Sequence, residues 1–402
     1  MKRFCTCIAT IAAVLFLVGC GGGSPADPPT DVRVVPGDGI ATVYFTATPG
    51  VDYMLFRAAA SSITKENFNT FPEAKGYLSV SSPKVVTGLV NGTTYSFTLA
   101  GSKNGGPDGP GTLSVSAVPR LAGATWSAGT PLGSDNLRGI ASGTVLVAVG
   151  GKGAMFTSAG GITWTAQNSG VSTDLNAAVY AGNYLAAGAG GVILLSSDAI
   201  TWTSQTSGTT NDLYAMATNG AGTYLATGAN GTIIVSTNGT SWITVNSGTS
   251  NHLYGVSYGN GTYVAVGANG TLLTSTDALN WQAAASQTTL DLKRVTYGAV
   301  PTAVAGIFTN TFVGVGAAGT LITSVDGLNW ALQTPIATDT INAVTYATQF
   351  VAVGSNGGIY TSTDGTNWQV RSSGTVNNLY AIAYGLFGYF AVGAAGANLS
   401  AF

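Results

Sequence analysis

The chain repeats itself from residue 121 to residue 402, and this periodicity constrains its fold more than any other feature. Seven tryptophans mark the copies, at positions 126, 164, 202, 242, 281, 330 and 368. The steps between them are 38, 38, 40, 39, 49 and 38 residues. Repeats of this length are structural units that bury their apolar faces only by stacking on one another.

One copy, residues 252–289, shows what each unit contains. Its segments HLYGVSYG, TYVAVGA, TLLTST and WQAAASQ predict four short strands, and the Asn-Gly pairs between them predict tight hairpin turns. A period near 40 residues with four strands per unit is typical of an all-β fold, the β-propeller.

The two ends of the repeat region fix the expected number of blades. Six complete four-strand units run from Leu137 to about residue 376, whereas the C-terminal piece supplies three strands and the segment around Trp126 supplies one. These pieces predict a seventh blade shared by both ends, which closes the ring and removes exposed edges. We therefore predict seven blades over residues 121–402, with an insertion near 299–308 accounting for the long step.

A segment of the form Ser-x-Asp-Gly-x-x-Trp precedes the fourth predicted strand and resembles the Asp-box of bacterial-neuraminidase-type repeats. A short carboxylate in a turn accepts bonds from nearby N–H groups, and the Trp buries a large ring. Two copies carry Asn238 and Gly160 instead of Asp, and six copies around a ring cannot all form one active site. The sequence therefore predicts a structural role for Ser196, Asp198, Trp202, Ser275, Asp277, Trp281, Ser324, Asp326, Trp330, Ser362, Asp364 and Trp368.

The opposite rim, where one unit links to the next, carries residues that differ between copies. The position after the first-strand Leu or Ile, together with one neighbouring arginine, predicts a binding rim made of Arg138, Asn176, Tyr214, Tyr254, Lys293, Arg294, Asn342 and Tyr380. A second variable set follows the second strand and is also expected at the channel mouth: Lys152, Gly190, Asn230, Asn269, Ala318, Asn356 and Ala395. Such side chains suit a polar ligand or a peptide. Alternatively, they only pack and form hydrogen bonds at the strand starts.

Residues 29–119 predict a separate small β-sandwich. Alternating stretches at 40–47, 53–58, 94–100 and 112–118 are separated by turn residues. The segment LVNGTTYSFTLAGSKNGG resembles the later strands of a fibronectin type III domain, with Leu89 and Tyr95 where that family has its tyrosine corner. Phe45 stands where the family usually carries a Trp. We expect this domain to act as a spacer.

The N-terminal residues predict export and a lipid anchor. Lys2 and Arg3 precede the apolar run at 8–18, which is too short to span a bilayer, so residues 1–19 read as a signal peptide. The following LVGC resembles the lipobox of bacterial lipoproteins, which implies lipidation of Cys20, including palmitate. An ordinary cleaved signal is the alternative. Residues 20–28 then predict a flexible tether. If the cell is Gram-negative, the family rule for the residue after the lipidated cysteine makes Gly21 favour the outer membrane, with a periplasmic or surface-facing orientation.

Composition excludes several classes of function. After Cys20 the chain has no cysteine, which excludes disulfides, thiolate zinc sites and a cysteine nucleophile. Charged residues make up only 7% of the chain and the net charge is −2, so the sequence predicts no nucleic-acid partner. We predict no cofactor and no metal, and we leave the oligomeric state open.

The repeats do not support a sialidase or another glycoside hydrolase. Sialidases bind a carboxylate with three arginines and use a Tyr–Glu pair, and the repeat region offers Arg138, Arg294 and Arg371 besides Arg120 at its boundary. The two glutamates of the chain, Glu66 and Glu73, both lie in the predicted sandwich. The lone His252 has no evident catalytic partners, and the sequence predicts a protein that is not an enzyme.

The repeat LYGVSYGNGTYVAVGANGTLLTSTDALNW resembles the seven-bladed propellers of the photosystem II assembly and stability factor family. That resemblance implies a scaffold that works by protein contact. The basic patch of that family is weak, since residues 121–402 contain five Lys or Arg, and a photosynthetic role is not supported. The leading hypothesis is a lipid-anchored envelope scaffold that binds a protein partner. A lectin-like propeller that binds glycan or polysaccharide is the alternative.

Overall fold

The computed structural model describes residues 23–301, 307–385 and 388–402. The predicted signal peptide and Cys20 lie outside these ranges. Within them, the structure has no helix with the length and apolar character needed to cross a membrane. The chain divides into two compact units, one ending at Arg120 and the other beginning at Leu121.

The first unit consists of two antiparallel sheets. One has the order β1-β7-β4-β5 with β8 also paired to β7, and the other has the order β2-β3-β6. The strands are β1 (Ser24–Ala26), β2 (Thr30–Gly37), β3 (Ile40–Thr46), β4 (Asp52–Ala58), β5 (Lys75–Tyr77), β6 (Lys84–Thr87), β7 (Tyr95–Lys103) and β8 (Val115–Ala117), with one short 3-10 helix at Phe68–Thr70. Val43, Leu55 and Phe97 belong to a core that draws on both sheets.

Tyr95 ties one end of β7 to the preceding loop. Its hydroxyl accepts a hydrogen bond from the Val90 N–H at 3.1 Å and donates to Glu73 Oε2 at 2.5 Å. Burial, reinforced by the Glu73 hydrogen bond, raises the pKa of Tyr95 above its usual value. Leu89 is buried next to this loop, and Phe45 packs edge-on against Tyr53 at 5.4 Å between ring centroids.

The structure departs from the flexible tether that the sequence predicted over residues 20–28. Ser24–Ala26 forms β1 and pairs antiparallel with Gly101–Lys103 of β7. The physical reason is that β7 would otherwise leave edge N–H and C=O groups unpaired, and a short extended segment nearby satisfies them. Sequence reading missed it because the composition, rich in Gly and Pro, indicates only local flexibility.

The second unit contains seven four-stranded antiparallel sheets within the described residues. We number them by their first strands, which are Leu137–Ser142 (sheet I), Leu175–Ala181 (II), Leu213–Thr218 (III), Leu253–Gly259 (IV), Leu292–Pro301 (V), Ile341–Tyr346 (VI) and Leu379–Gly385 (VII). The second strands are Leu146–Gly150, Asn183–Gly188, Tyr224–Gly228, Thr262–Gly267, Phe308–Gly316, Phe350–Gly354 and Gly388–Gly393. The third strands are Met155–Ser158, Ile193–Ser196, Ile233–Ser236, Leu272–Ser275, Leu321–Ser324, Ile359–Ser362 and Asn398–Ala401. The fourth strands are Thr165–Ala166, Thr203–Gln205, Ile243–Val245, Gln282–Ala283, Ala331–Leu332, Gln369–Arg371 and, for sheet VII, Ser127–Ala128.

The sheets are arranged in a closed order. Each first strand contacts the first strands of the sheets before and after it, and the first strand of sheet VII contacts that of sheet I. Sheet VII joins the two ends of the unit, because Ala128 pairs with Leu399 and Ser127 with Ser400. The second unit therefore has the arrangement of a β-propeller.

The apolar clusters of the second unit lie between neighbouring sheets. In one of them Trp242 of sheet III packs with Leu185 and Ile193 of sheet II. Every tryptophan also donates its Nε1–H to the carbonyl of the residue three positions earlier, at 2.9–3.3 Å. The repeated tryptophan thus stabilises its own turn by a hydrogen bond, while its ring packs between two neighbouring sheets.

The acidic residues of the repeated segment are occupied by the turn that they form. Asp326 Oδ1 accepts hydrogen bonds from the N–H groups of Leu328 and Asn329, both at 2.8 Å, and from the Ser324 hydroxyl at 2.9 Å. The N–H and side-chain amide of Asn329 hold the pKa of Asp326 well below its usual range. Equivalent bonds from the Thr201 and Ile200 N–H groups lower the pKa of Asp198 to about 2.

The copies without aspartate keep the same turn. Asn238 Oδ1 accepts from the N–H groups of Thr240 and Ser241, both at 2.9 Å. In the glycine copy, the Ser158 hydroxyl donates instead to the Thr163 carbonyl at 2.5 Å. A negative charge is therefore not needed to form this turn.

These natural variants predict the outcome of changing Asp326. We expect Asp326→Ala to lower the free energy of unfolding by about 1 kcal/mol, because two backbone N–H groups lose their acceptor, whereas Asp326→Asn retains most of the stability. A lowered pKa stabilises the fold above the unfolded-state value of about 4, and this contribution is lost as pH falls. Urea unfolding from pH 7 to pH 3 should therefore narrow the difference in stability between the wild type and Asp326→Asn, because the unfolded chain begins to bind the proton near pH 4 while the folded carboxylate stays ionised. A constant difference between them would contradict the prediction.

The long step between copies lies in sheet V. Its first two strands reach ten and nine residues, and their pairing continues through Ala299 with Asn310 to Pro301 with Phe308. The predicted insertion near 299–308 therefore lengthens a hairpin in part, and residues 302–306 lie outside the described ranges.

Candidate functional site at the channel mouth

The fourth strand of each sheet connects to the first strand of the next sheet at one end of the second unit. This end has a cavity of about 470 Å³, which we call the mouth cavity. Each first strand begins with a buried Leu or Ile, and the residue that follows lines the cavity. The lining residues are Asn136, Arg138, Asn176, Tyr214, Tyr254, Lys293, Arg294, Asn342 and Tyr380. All eight rim residues named from the sequence thus lie around one space.

Asn136 is the one lining residue that sequence reading missed. It precedes the buried Leu137, whereas the prediction considered only positions after the Leu. Its Oδ1 accepts a hydrogen bond from the Ala395 N–H of sheet VII at 3.1 Å. The signal was present in the sequence, because the same position carries Asp, Asn or His in five other copies.

The second variable set does not line the mouth cavity, and the prediction for it was wrong. Each of its members is the middle residue of a short 3-10 turn after the second strand, with φ between 50° and 64°. In most copies its N–H donates to the side chain before the next first strand, as Lys152 does to Asp174 Oδ1 at 2.9 Å. The left-handed backbone explains the preference for Asn and Gly.

The Tyr214 and Tyr254 side chains, which we call the tyrosine arc, form one side of the mouth cavity. The Tyr214 and Tyr254 rings lie 5.7 Å apart between centroids, and the His252 ring lies about equally far from both, at 6.1 and 6.0 Å. Burial raises the pKa of both tyrosines, and the nearby Asp212 and Asp291 carboxylates add to the shift. Both hydroxyls therefore stay protonated at neutral pH and can donate hydrogen bonds.

Two asparagines of the rim are engaged with the backbone. Asn176 Nδ2 donates to the Leu213 carbonyl at 3.0 Å, and Asn342 Nδ2 donates to the Leu379 carbonyl at 2.8 Å. Each amide thereby links its own first strand to that of the next sheet. For these two residues the geometry favours the alternative role, hydrogen bonding at the strand starts.

Two of the three cations in the wall are neutralised by carboxylates. Arg138 Nη1 lies 2.9 Å from Asp174 Oδ2, and Lys293 Nζ lies 3.0 Å from Asp291 Oδ2. The Lys293 ammonium also sits 4.0 Å from the centre of the Tyr254 ring, an arrangement that favours a cation. These pairs hold the side chains in place but add little net charge.

Arg294 is the third cation, and its partners are backbone carbonyls. Its Nη1 donates to the Tyr254 carbonyl and, at 3.0 Å, to the Lys293 carbonyl, while Nη2 donates to the Tyr214 carbonyl at 3.3 Å. Burial lowers the pKa of Arg294 to about 10, so the guanidinium remains charged at neutral pH.

The wall consists of groups that can contact a polar or aromatic ligand. Among the described residues, no three His, Cys, Asp or Glu side chains come together in a way that could hold a metal ion. Arg371, the third arginine of a sialidase-type triad, is not part of the lining and bonds to Thr361 and Gln369. What the cavity offers is aromatic surface, hydroxyl and amide donors, and one cation without a carboxylate partner.

Comparison with solved structures places the repeat unit among known propellers. A structure of YCF48 bound to a D1 peptide is 18% identical, has a TM-score of 0.56, and aligns over 71% of this chain and 99% of its own. The WD40 β-propeller domain of Doa1 is 11% identical, has a TM-score of 0.55, and aligns over 69% of this chain and 97% of its own. At these identities the likeness establishes the fold alone. No family model and no curated protein sequence matches the chain.

Proposed function

We propose that the second unit is a seven-bladed propeller that binds a segment of a protein partner in its mouth cavity, without catalysing a reaction. The observation that carries this proposal is that the residues which differ between the repeats lie together around one cavity. The core and turn positions carry similar residues in every sheet, whereas the residues that line the mouth differ. Tyr214 and Tyr254 line it in sheets III and IV, and Lys293 and Arg294 line it in the adjacent sheet V. An asymmetric lining suits one ligand in one orientation.

The similarity to a propeller bound to a peptide supports this choice. In that structure, YCF48 is bound to a D1 peptide. For the present chain we propose only the mode, a peptide segment held by a rigid ring. Aromatic rings such as Tyr214, Tyr254 and Tyr380 supply contact area at low conformational cost.

A glycan is the second candidate, and one observation favours it. Sheets II and IV have similar outer grooves, one lined by residues 190–193 with 204–210 and the other by residues 247–249 and 270–273 with 283–290. Repeated shallow grooves are what a lectin-like propeller would use. However, Trp281 lines only the groove of sheet IV, and no aromatic side chain lines the other. Sugar-stacking surface is therefore not repeated.

Binding assays with variants at the mouth cavity and at the opposite end of the sheets separate these candidates. We expect the full chain to select sequences from a random peptide array, and we expect Tyr214→Ala with Tyr254→Ala to weaken that binding by roughly tenfold or more, because each aromatic anchor contributes about 1 kcal/mol or more. The matched control is Ile200→Ala with Leu279→Ala, two exposed residues of the turns at the opposite ends of their sheets. A glycan array is probed in parallel.

Three outcomes have distinct meanings. Loss of peptide binding in the tyrosine variant alone supports the mouth cavity. Equal binding by all three proteins contradicts it. Glycan binding that survives the tyrosine changes but is lost on Trp281→Ala favours the lectin alternative.

We further propose that the protein is a lipoprotein of the cell envelope, anchored through Cys20 and placed at the outer membrane. The first unit would then serve as a spacer of the fibronectin type III kind. The strand order of its two sheets and the Tyr95–Val90 hydrogen bond support that comparison.

A further inference from the structure

Arg294 breaks the repeat at a position that otherwise carries only the smallest side chains. The residue two positions after the first Leu or Ile is Gly139, Ala177, Ala215, Gly255, Ala343 or Ala381 in the other six sheets. Five of these, together with Arg294, line a second cavity of about 290 Å³ in the central channel, directly below the mouth. One long cation therefore enters a space that the other sheets leave open.

The neighbouring sheet approaches the backbone of this arginine closely, as sheet I approaches Ala177 at the equivalent Gly139. A Cβ on Gly255 would lie 2.8 Å from the Arg294 Cα and 2.9 Å from the Lys293 carbonyl oxygen. Any larger residue at 255 would push the strand that carries Arg294 away. The guanidinium then lies at the boundary of the two cavities, since Arg294 lines both.

The charge of Arg294 is not balanced by the protein. Within the described residues no carboxylate lies at salt-bridge distance from it. The two carboxylates that face the mouth are paired with other cations, Asp291 with Lys293 and Asp174 with Arg138. A guanidinium has five N–H donors, and three hydrogen bonds to carbonyls leave two for another acceptor. A partly buried cation with only neutral acceptors is unfavourable, and an anionic ligand would offset that cost.

We propose that Arg294 is the anchor for a carboxylate group of the bound segment, received at the floor of the mouth cavity. This inference rests on the proposed peptide-binding function and specifies its ligand chemistry. The carboxylate would accept hydrogen bonds from the two remaining guanidinium N–H groups, while the tyrosine arc contacts the adjoining residues of the ligand. The carboxylate comes either from a free C-terminus or from an Asp or Glu side chain, and matched synthetic peptides distinguish these sources.

Three synthetic peptides test the ligand chemistry on the full chain. They are acetyl-Ala-Ala-Ala with a free carboxylate, the same peptide as its amide, and acetyl-Ala-Asp-Ala amide. Arginine side-chain N–H signals are followed by ¹⁵N NMR during titration. We expect at least one carboxylate peptide to shift the Arg294 signals and to bind about tenfold or more tightly than the neutral amide. Whichever carboxylate peptide binds identifies the source. Equal effects of all three peptides, or no shift with either carboxylate, would overturn the proposal.

Variants then separate anchoring from a purely structural role. Arg294→Gln is expected to weaken binding of the carboxylate peptide about thirtyfold, since removing one partner of a buried charge pair has effects of at least this size. Arg371→Gln, the matched control at the outer strand of sheet VI, is expected to leave binding unchanged. If Arg294→Gln does not fold, the wild-type titrations alone decide the question.

The proposed function and this inference can fail separately. If the tyrosine double variant loses peptide-array binding while Arg294→Gln keeps it, the mouth binds peptides without a carboxylate anchor, and only the present inference is lost. If neither change affects binding, both are lost.

Discussion

Replacing Gly228 with alanine is expected to lower the free energy of unfolding of the second unit by about 3 kcal/mol or more. Gly228 ends the second strand of sheet III, and a Cβ there would lie 2.0 Å from the Asp212 carbonyl oxygen. Its φ of −164° is ordinary extended backbone, so the cost is steric. Backbone atoms cannot rotate away as a side chain can, and the Asp212 carbonyl is also held by the Ala229 N–H at 2.8 Å.

The same change at Gly160 provides the control. A Cβ on Gly160 would meet no atom within 4 Å, so Gly160→Ala should shift stability by less than about 0.5 kcal/mol. Urea unfolding followed by tryptophan fluorescence reports on the second unit, because all seven tryptophans lie in it. Similar midpoints for the two variants would show that the strand end tolerates a side chain.

Replacing Trp126 with alanine is expected to reduce the unfolding free energy by about 3–5 kcal/mol. This ring comes from the N-terminal end of the unit and is buried with Tyr389 and Leu399 of sheet VII. Its removal leaves a cavity beside the two-residue strand Ser127–Ala128, which holds the fourth place in that sheet. Denaturant unfolding of the full chain, followed by far-ultraviolet circular dichroism, measures the loss.

Trp126→Phe separates the ring from its hydrogen bond. Phenylalanine keeps most of the buried volume but loses the bond from Trp126 Nε1 to the Gly123 carbonyl. We expect it to cost only about 1 kcal/mol. Equal losses in the Ala and Phe variants would mean that the hydrogen bond, rather than packing at the junction, stabilises sheet VII.

The rim residues could be named from the sequence because of strand geometry. A buried Leu or Ile starts each first strand, so the next residue must face away from that core position and toward the mouth. Aligning the repeats then identifies the equivalent position in every sheet, and this requires no knowledge of the fold beyond four strands per unit. What distinguished Tyr254 from a structural residue was its variation between copies.

Other features were beyond sequence reading because they depend on contacts between distant segments. The pairing of Ser24–Ala26 with β7 joins residues nearly eighty positions apart, as Ser24 pairs with Lys103. The second variable set was wrongly expected at the channel mouth, because the prediction weighed its polarity over the left-handed backbone that its Asn and Gly residues signal. The missing counter-ion of Arg294 also required coordinates, since Asp291 stands three residues away and pairs elsewhere.

Sheet VII gives the second unit a particular order of assembly. Ala128 pairs with Leu399, so the sheet requires segments from both ends of the unit. During synthesis the first six sheets can form hairpin by hairpin, but the strand at Ser127–Ala128 must wait without its partner until the last repeat has been made. Until then the apolar faces of sheets I and VI that pack against sheet VII remain exposed to other chains. The nascent protein is therefore most prone to misassociation just before its final strands appear.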